Sequence, residues 1–425
     1  MFSKSRVRRA AAGALTVVTA AGLCSGLAVS AAAQESGVTT RIDPLPAGRE
    51  MTGDARSFLY VWPADTTDPA REAGLYVYDR TADTHTAVST LTTGEGVHLG
   101  GISDNGRYVH YDRPTPNAKA ARASFVLDRV TGTEERTSWS GRGRRVLGVA
   151  GDVSNNGRIV LFSRDGDHYA RNVARDRTRL VTVAPDGKER ERANHEVSLS
   201  GNGRFVAWSG KAGKRAGTPY TQVWVHDRVS HVTRPVSTAK GGGYGNGGSR
   251  NVSISNDGRL VAYSSNATNL VRKHDGAPGV FVRDLDARRT RLVSKPATGD
   301  SSTACSGSFR RIDWDCLAVS GDGRFVSFWT QAALLPEDDD RPQDQPGDLY
   351  VRDLATGELN LVNVPTTGTT ANTDGARGSD QLSVRISTDG RFIAFDSLDD
   401  TLDPTSVPAT RTHDNYYVRD RGPQG

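Results

Sequence analysis

The chain has 425 residues, with 54 Lys and Arg against 49 Asp and Glu, a formal net charge of +5 and three cysteines. Four of the basic residues, Lys4, Arg6, Arg8 and Arg9, fall in an N-terminal leader, and without them 50 basic residues face 49 acidic ones. A nucleic-acid binder needs a net basic face to neutralise phosphates, so no nucleic-acid partner is expected.

Met1 to Arg9 carries no acid, Ala10 to Ala33 is small and apolar, and Ala31-Ala32-Ala33 supplies an A-x-A end. This pattern reads as a signal peptide over 1–33, cut before Gln34, and places the mature chain outside the cell as a secreted protein. A membrane anchor needs about 20 strongly apolar residues. This Ala- and Gly-rich stretch is too weakly hydrophobic, and no transmembrane segment is expected in the mature chain. Arg8-Arg9 lacks the bulky residues that follow in twin-arginine leaders, and Leu23 stands where a lipidated Cys24 needs a small residue. The two remaining cysteines, Cys305 and Cys316, enter an oxidising compartment and are expected to form a disulfide across ten intervening residues; two buried thiols are the alternative.

From Gln34 onward the chain is repetitive. Ser-x-(Asp/Asn)-Gly-Arg occurs at Ser103–Arg107, Ser154–Arg158, Ser200–Arg204, Ser255–Arg259, Ser320–Arg324 and Ser387–Arg391, with a worn copy at Thr52–Arg56. Asn-Gly or Asp-Gly between alternating apolar runs predicts a tight hairpin, of type I′, with Gly106, Gly157, Gly203, Gly258, Gly323 and Gly390 as structural turn residues. A third strand ending in aspartate follows in most units, as in Leu75–Asp79, Phe125–Asp128, Val223–Asp227, Val280–Asp284, Leu349–Asp353 and Tyr416–Asp420, and a fourth follows a polar turn. Tyr169–Val173 is the poorest third strand. Four short antiparallel strands per unit, repeated at roughly 50 residues, predict propeller blades. The last unit has three strands, and Thr40–Leu45 is expected to supply its fourth. The predicted fold is all-β: one seven-bladed β-propeller over 34–425, closed by an N-terminal strand in the last blade.

The Ser-x-Asp-Gly-Arg-Phe-Val-Ala-Phe run with its downstream Val-Arg-Asp strand resembles the WD-type repeats of TolB-like β-propellers. The resemblance covers nearly the whole mature chain. It implies the fold and no single activity, since such propellers serve in translocation proteins, beside peptidases and in some lyases.

Candidate sites are few. The Asp-Gly-Arg segments are read as turns and the third-strand aspartates as turn caps; the glycine spacing is not that of an Asp-box. No Gly-x-Ser-x-Gly elbow occurs in the mature chain, and the nine histidines lack metal-ligand spacing. The acidic stretch with Asp338, Asp339, Asp340, Asp344 and Asp348 suits Ca²⁺, although Arg341 and two prolines interrupt it, and a solvated acidic loop is the plainer reading. No other cofactor is expected. The connection Gly241–Arg250 is read as a mobile loop with Tyr244 as a ligand contact, and the segment around Cys305, Phe309, Trp314 and Cys316 as a second recognition loop. The expected function is a non-catalytic binding or scaffolding propeller, monomeric, for a protein or glycan partner. The alternatives are a metal-assisted polysaccharide lyase with its site at the channel, and an accessory subunit of a cell-envelope complex.

Overall fold

Each Ser-x-(Asp/Asn)-Gly-Arg segment makes a turn out of its own side chains. A computed structural model of the chain describes residues 37–42, 49–62, 73–90, 97–115, 118–184, 193–211, 218–272, 274, 278–296, 316–330, 332–335, 347–365, 383–397, 402–403 and 415–424. In it the Ser103 hydroxyl donates to Asn105 Oδ1 (2.8 Å) and accepts from the Tyr108 amide (2.9 Å). Asn105 Oδ1 also accepts from the Arg107 amide (3.1 Å), and the Gly106 amide donates to the Ser103 carbonyl (2.7 Å). Ser154, Ser200, Ser255, Ser320 and Ser387 head the same turn. In the worn copy Thr52 and Asp54 make these bonds instead.

The six glycines hold φ between +68° and +79°, and Ala55 takes +53° in their place. The two residues before each glycine keep negative φ, so these turns are type I with a left-handed residue in last position, not type I′. The side-chain bond to the arginine amide holds the Asx residue out of the left-handed region. A type I′ link does occur in the third blade, where Asp165 (φ +54°) and Gly166 (φ +81°) join paired residues Arg164 and Asp167.

The described residues form seven four-stranded antiparallel sheets. Blade 1 comprises Arg49–Met51, Ser57–Trp62, Gly74–Asp79 and Thr84–Thr90, and blade 2 His98–Ile102, Tyr108–Thr115, Ala118–Asp128 and Thr133–Arg136. Blade 3 comprises Val149–Val153, Ile159–Arg164, Asp167–Asn172 and Arg177–Leu180, and blade 4 Ala193–Leu199, Phe205–Lys211, Thr221–Asp227 and Val232–Pro235. Blade 5 comprises Ser249–Ile254, Leu260–Ser265, Gly279–Asp284 and Arg289–Leu292, and blade 6 Leu317–Val319, Phe325–Thr330, Asp348–Asp353 and Leu359–Leu361. Blade 7 contains Val384–Ile386, Phe392–Ser397 and Asn415–Asp420, with Val38–Ile42 paired antiparallel along Asn415–Asp420. The first strands adjoin one another in a closed ring, which makes the protein a seven-bladed propeller. No α-helix occurs among the described residues, and none of them forms a helix long and apolar enough to cross a membrane.

The core lies between blades. Seven apolar clusters each join two neighbouring blades, as where Val223, Val225 and Val236 of blade 4 meet Val261, Tyr263 and Phe281 of blade 5. Each fully buried Val, Leu or Phe side chain contributes about 1.5–3 kcal/mol, so these junctions hold the ring together. The turn glycines add a steric interlock. A Cβ on Gly258 would stand 2.1 Å from the Phe205 ring of blade 4, one on Gly390 2.1 Å from Phe325, and one on Gly157 2.3 Å from Tyr108.

Glycine is therefore required twice at these positions, for conformation and for contact. Gly357 has a φ of +83° but open space around its Cβ position. In chemical denaturation, Gly357→Ala should cost about 1–2 kcal/mol from the left-handed backbone alone, and Gly258→Ala about 1–3 kcal/mol more from overpacking against Phe205. Equal losses would show that the blades shift apart freely at this contact.

Candidate functional site

The turn bonds also close one end of the propeller axis. The second residue of each turn is Gly53, Asp104, Asn155, Gly201, Asn256, Gly321 or Thr388, and these seven meet around the axis. Backbone bonds run from the Gly53 amide to the Asp104 carbonyl, Asn155 to Gly201, Asn202 to Asn256, Asn256 to Gly321, Asp322 to Thr388 and Thr388 to Gly53. The step between Asp104 and Asn155 is made by side chains. Asp104 Oδ2 accepts from Asn155 Nδ2 (2.9 Å), Asn256 Nδ2 (2.6 Å) and Thr388 Oγ1 (3.0 Å), the last two from the non-adjacent blades 5 and 7. Room for these side chains comes from the three glycines. A Cβ on Gly53 would meet Thr388 Oγ1 at 2.4 Å, one on Gly201 Asn256 Oδ1 at 2.4 Å, and one on Gly321 Asn256 Nδ2 at 2.4 Å. One mouth of the channel is thus filled by a bonded plug.

In an antiparallel meander the first-to-second and third-to-fourth turns share one face, and the other connections share the opposite face. The turn face repeats the same pairs in most blades, blade 3 carrying Asn172 in place of the aspartate. The repeat arginine pairs with the third-strand aspartate in Arg56–Asp79 (2.9 Å), Arg107–Asp128 (2.6 Å), Arg204–Asp227 (2.7 Å), Arg324–Asp353 (2.9 Å) and Arg391–Asp420 (2.7 Å). The arginine beside Asp128 holds its carboxyl well below the usual carboxylate range. These aspartates also cap the next turn, Asp128 Oδ1 accepting from the Val130 amide (3.0 Å). The arginine after the aspartate clamps the turn glycine of the same blade, Arg129 donating to the Gly106 carbonyl and Arg421 to that of Gly390 (2.7 Å each).

All the individual connections leave from the opposite face. The Gly-rich connection between blades 4 and 5 is docked rather than mobile. Asn246 donates to Thr268 Oγ1 (2.7 Å), accepts from the Thr268 amide (2.8 Å), and its own amide reaches Asn269 Oδ1 (3.0 Å). Tyr244 is half-buried and lies edge-on to Trp224 at 5.6 Å. Asp348 begins the third strand of blade 6, buried, and accepts from Asn363 Nδ2 (2.9 Å). Cys316 is buried just before Leu317 and accepts from Asn251 Nδ2 (3.0 Å). Cys305, Phe309, Trp314, Asp338, Asp339, Asp340 and Asp344 lie outside the described residues. Exposed apolar side chains not singled out by the sequence stand on this face: Leu147 (48 %), Val149 (41 %) and Tyr220 (46 %). Their signal is apolarity beside a strand start, which any edge residue shares.

The junction of blades 2 and 3 has a small apolar cluster, Val126, Val153 and Val160, and a polar network beside it. Buried His110 bonds the Gly151 carbonyl (2.7 Å) and Thr137 Oγ1 (2.9 Å). Asp112, fully buried, accepts from Arg122 and from the Ala150 amide (3.0 Å), with His98 3.6 Å away. Burial pushes its carboxyl pKa up. Burial also pushes His110 and His226 down to about 4. Of the described histidines, His110, His168 and His226 sit on second or third strands of blades 2, 3 and 4, and no group of three or more metal-ligating side chains gathers among the described residues.

Two outcomes are expected. Asp104→Ala leaves two amides and a hydroxyl without their acceptor and should cost about 1–3 kcal/mol in denaturant unfolding; an unchanged midpoint would show that water replaces the plug. His110 is neutral in the folded state, with a pKa below its unfolded value near 6.5. Its contribution to stability is complete above pH 6.5 and is lost as pH falls towards 4. Stability measured from pH 7 to 4 should therefore fall by about 3 kcal/mol more in the native chain than in His110→Gln.

No family model matches the chain, and no curated protein does. Solved structures do. An oligogalacturonate lyase in complex with manganese is 14% identical over 91% of this chain and 91% of its own, with a TM-score of 0.52. A chain of a mitotic checkpoint complex is 11% identical over 97% of this chain and 98% of its own, at 0.48. TolB from Acinetobacter baumannii is 11% identical over 91% of this chain and 80% of its own, at 0.38. At these identities the likeness is one of fold, and the fold is a β-propeller.

Proposed function

We propose that this chain is an exported, non-catalytic binding propeller that holds a protein or glycan partner on the face from which its individual connections leave. The observation that carries this reading is the plug around Asp104. It closes the axis at the turn face, where six of the seven turns share one side-chain pattern, and leaves the opposite face as the place where the blades differ. Function concentrates on varied connections held by a rigid scaffold. Exposed Leu147, Val149 and Tyr220 give that face apolar contact points of the kind interfaces use. The leader over 1–33 supports export.

The test uses the chain from Gln34 onward in pull-downs and on a glycan array, with melting curves in calcium and in EDTA. Leu147→Ser with Tyr220→Ala should weaken capture at least tenfold, and the turn-face changes Val130→Ser and Val229→Ser should leave it intact. Release of oligosaccharide or peptide fragments by the purified native chain would overturn the reading in favour of an enzyme.

A further inference from the structure

On the turn face, at the junction of blades 4 and 5, a cavity of about 600 Å³ opens between the third-to-fourth turns. Five arginines line it: Arg204, Arg234, Arg259, Arg283 and Arg288. Two are spent within their own blades, Arg204 on Asp227 (2.7 Å) and Arg259 on Asp284 (3.7 Å). The other three occupy positions that tie the blades together elsewhere.

Arg283 precedes the third-strand aspartate, as Arg171 precedes Asn172 and as Arg352 and Arg419 precede Asp353 and Asp420. Arg171 reaches back to Glu135 (3.5 Å), Arg352 to the Val293 carbonyl (3.1 Å) and Arg419 to that of Val364 (3.4 Å), each on the preceding blade. Arg283 instead donates to Thr290 of its own blade (3.1 Å). Arg234 pairs in register with Val225, as Arg179 does with Ala170 and Arg291 with Val282. Arg179 bonds His231 in the next blade's turn (3.0 Å), and Arg291 the Leu354 carbonyl (2.8 Å). In blade 5 the counterpart of His231 is Arg288, four residues after the aspartate and likewise in the left-handed region (φ +51°). Gly132 and Gly357 hold that position in blades 2 and 6. Arg288 thus lines the same cavity as Arg234 in the place where Arg179 finds His231, and neither cross-blade tie is made there. Burial lowers the Arg283 pKa, and Arg288 adds to the fall while Tyr263 and Asp284 oppose it. Asp257 and Asp286 stand exposed at the rim, Asp257 held by the Ser255 hydroxyl and the Arg259 amide.

We propose that this cleft is a binding site for a phosphate or sulfate group, held by Arg234, Arg283 and Arg288 in place of the missing cross-blade acceptors. Guanidinium forks match such oxyanions in geometry and charge. The site is on the face opposite the connections and is independent of the partner proposed there.

The probes are inorganic phosphate and sulfate, titrated by calorimetry and melting at low, matched ionic strength, with dextran sulfate against dextran as the polymer arm. Arg288→Gly introduces the residue that blades 2 and 6 carry, and Arg234→Thr the residue that Thr86 supplies at the matching position of blade 1, so both variants are expected to fold. The native chain should bind, each substitution should weaken binding at least tenfold, and Arg142→Ala, which removes an equal charge elsewhere, should not. Binding of the free ions points to a small-molecule anion, and binding of dextran sulfate alone to an anionic group on a polymer. Absence of binding by all probes, or equal weakening by Arg142→Ala, would overturn the site.

Discussion

Seven turns have to meet on one axis, and the space there admits few side chains. That constraint governs the second position of each turn: Gly53, Gly201 and Gly321 give up their side chains so that Asp104, Asn155, Asn256 and Thr388 can use the space. Asp104 then accepts from three blades at once, in a half-buried setting where an unmade bond is costly. Six amide-to-carbonyl steps and the side-chain bond from Asn155 to Asp104 tie each turn to the next, so no blade can tilt without breaking contacts on both sides.

Around that belt the forces divide by depth. Between the blades, apolar clusters supply most of the stability, and on the turn face exposed Arg–Asp pairs each contribute about 0–1 kcal/mol. The pairs act chiefly on geometry: Arg107 and Arg129 grip opposite ends of the same pair of turns in blade 2, and a repeated grip keeps the turns alike from blade to blade. Two junctions depart from the scheme. Between blades 2 and 3, His110, Asp112 and Arg122 occupy space that aliphatic side chains fill elsewhere. Between blades 4 and 5, the apolar cluster is intact below, and the departure is confined to charge at the surface.

Much of the fold is legible in the chain itself because the repeat is local. Ser103, Asn105, Gly106 and Arg107 satisfy one another within five residues, so their spacing alone marks the turn, although the Asx bond selects type I where Asn-Gly by itself suggests type I′. Sites built between blades are not legible in this way. Asp104 and Thr388 are 284 residues apart and occupy the position that varies from copy to copy, so nothing short of the closed ring brings them together. Arg234 and Arg288 each look like ordinary surface arginines; only the closed ring, with its register against Arg179, Arg291 and His231, brings them to one cavity. The glycines of Gly241–Arg250 suggest a mobile loop, yet Asn246, Thr268 and Asn269 bond that connection and the Tyr244 ring lies edge-on to Trp224.

Val38–Ile42, paired along Asn415–Asp420, also sets an order of events. The first described strand pairs with the last, so until Asn415–Asp420 is made Val38–Ile42 is an unpaired edge and the ring an open arc. Such edges recruit foreign strands, and the long delay before closure exposes them for as long as the chain is incomplete. The seam is closed by this strand ladder together with the apolar cluster of Ile42, Phe58, Tyr60, Tyr416 and Val418, and it is the place where a second molecule could exchange strands with the first.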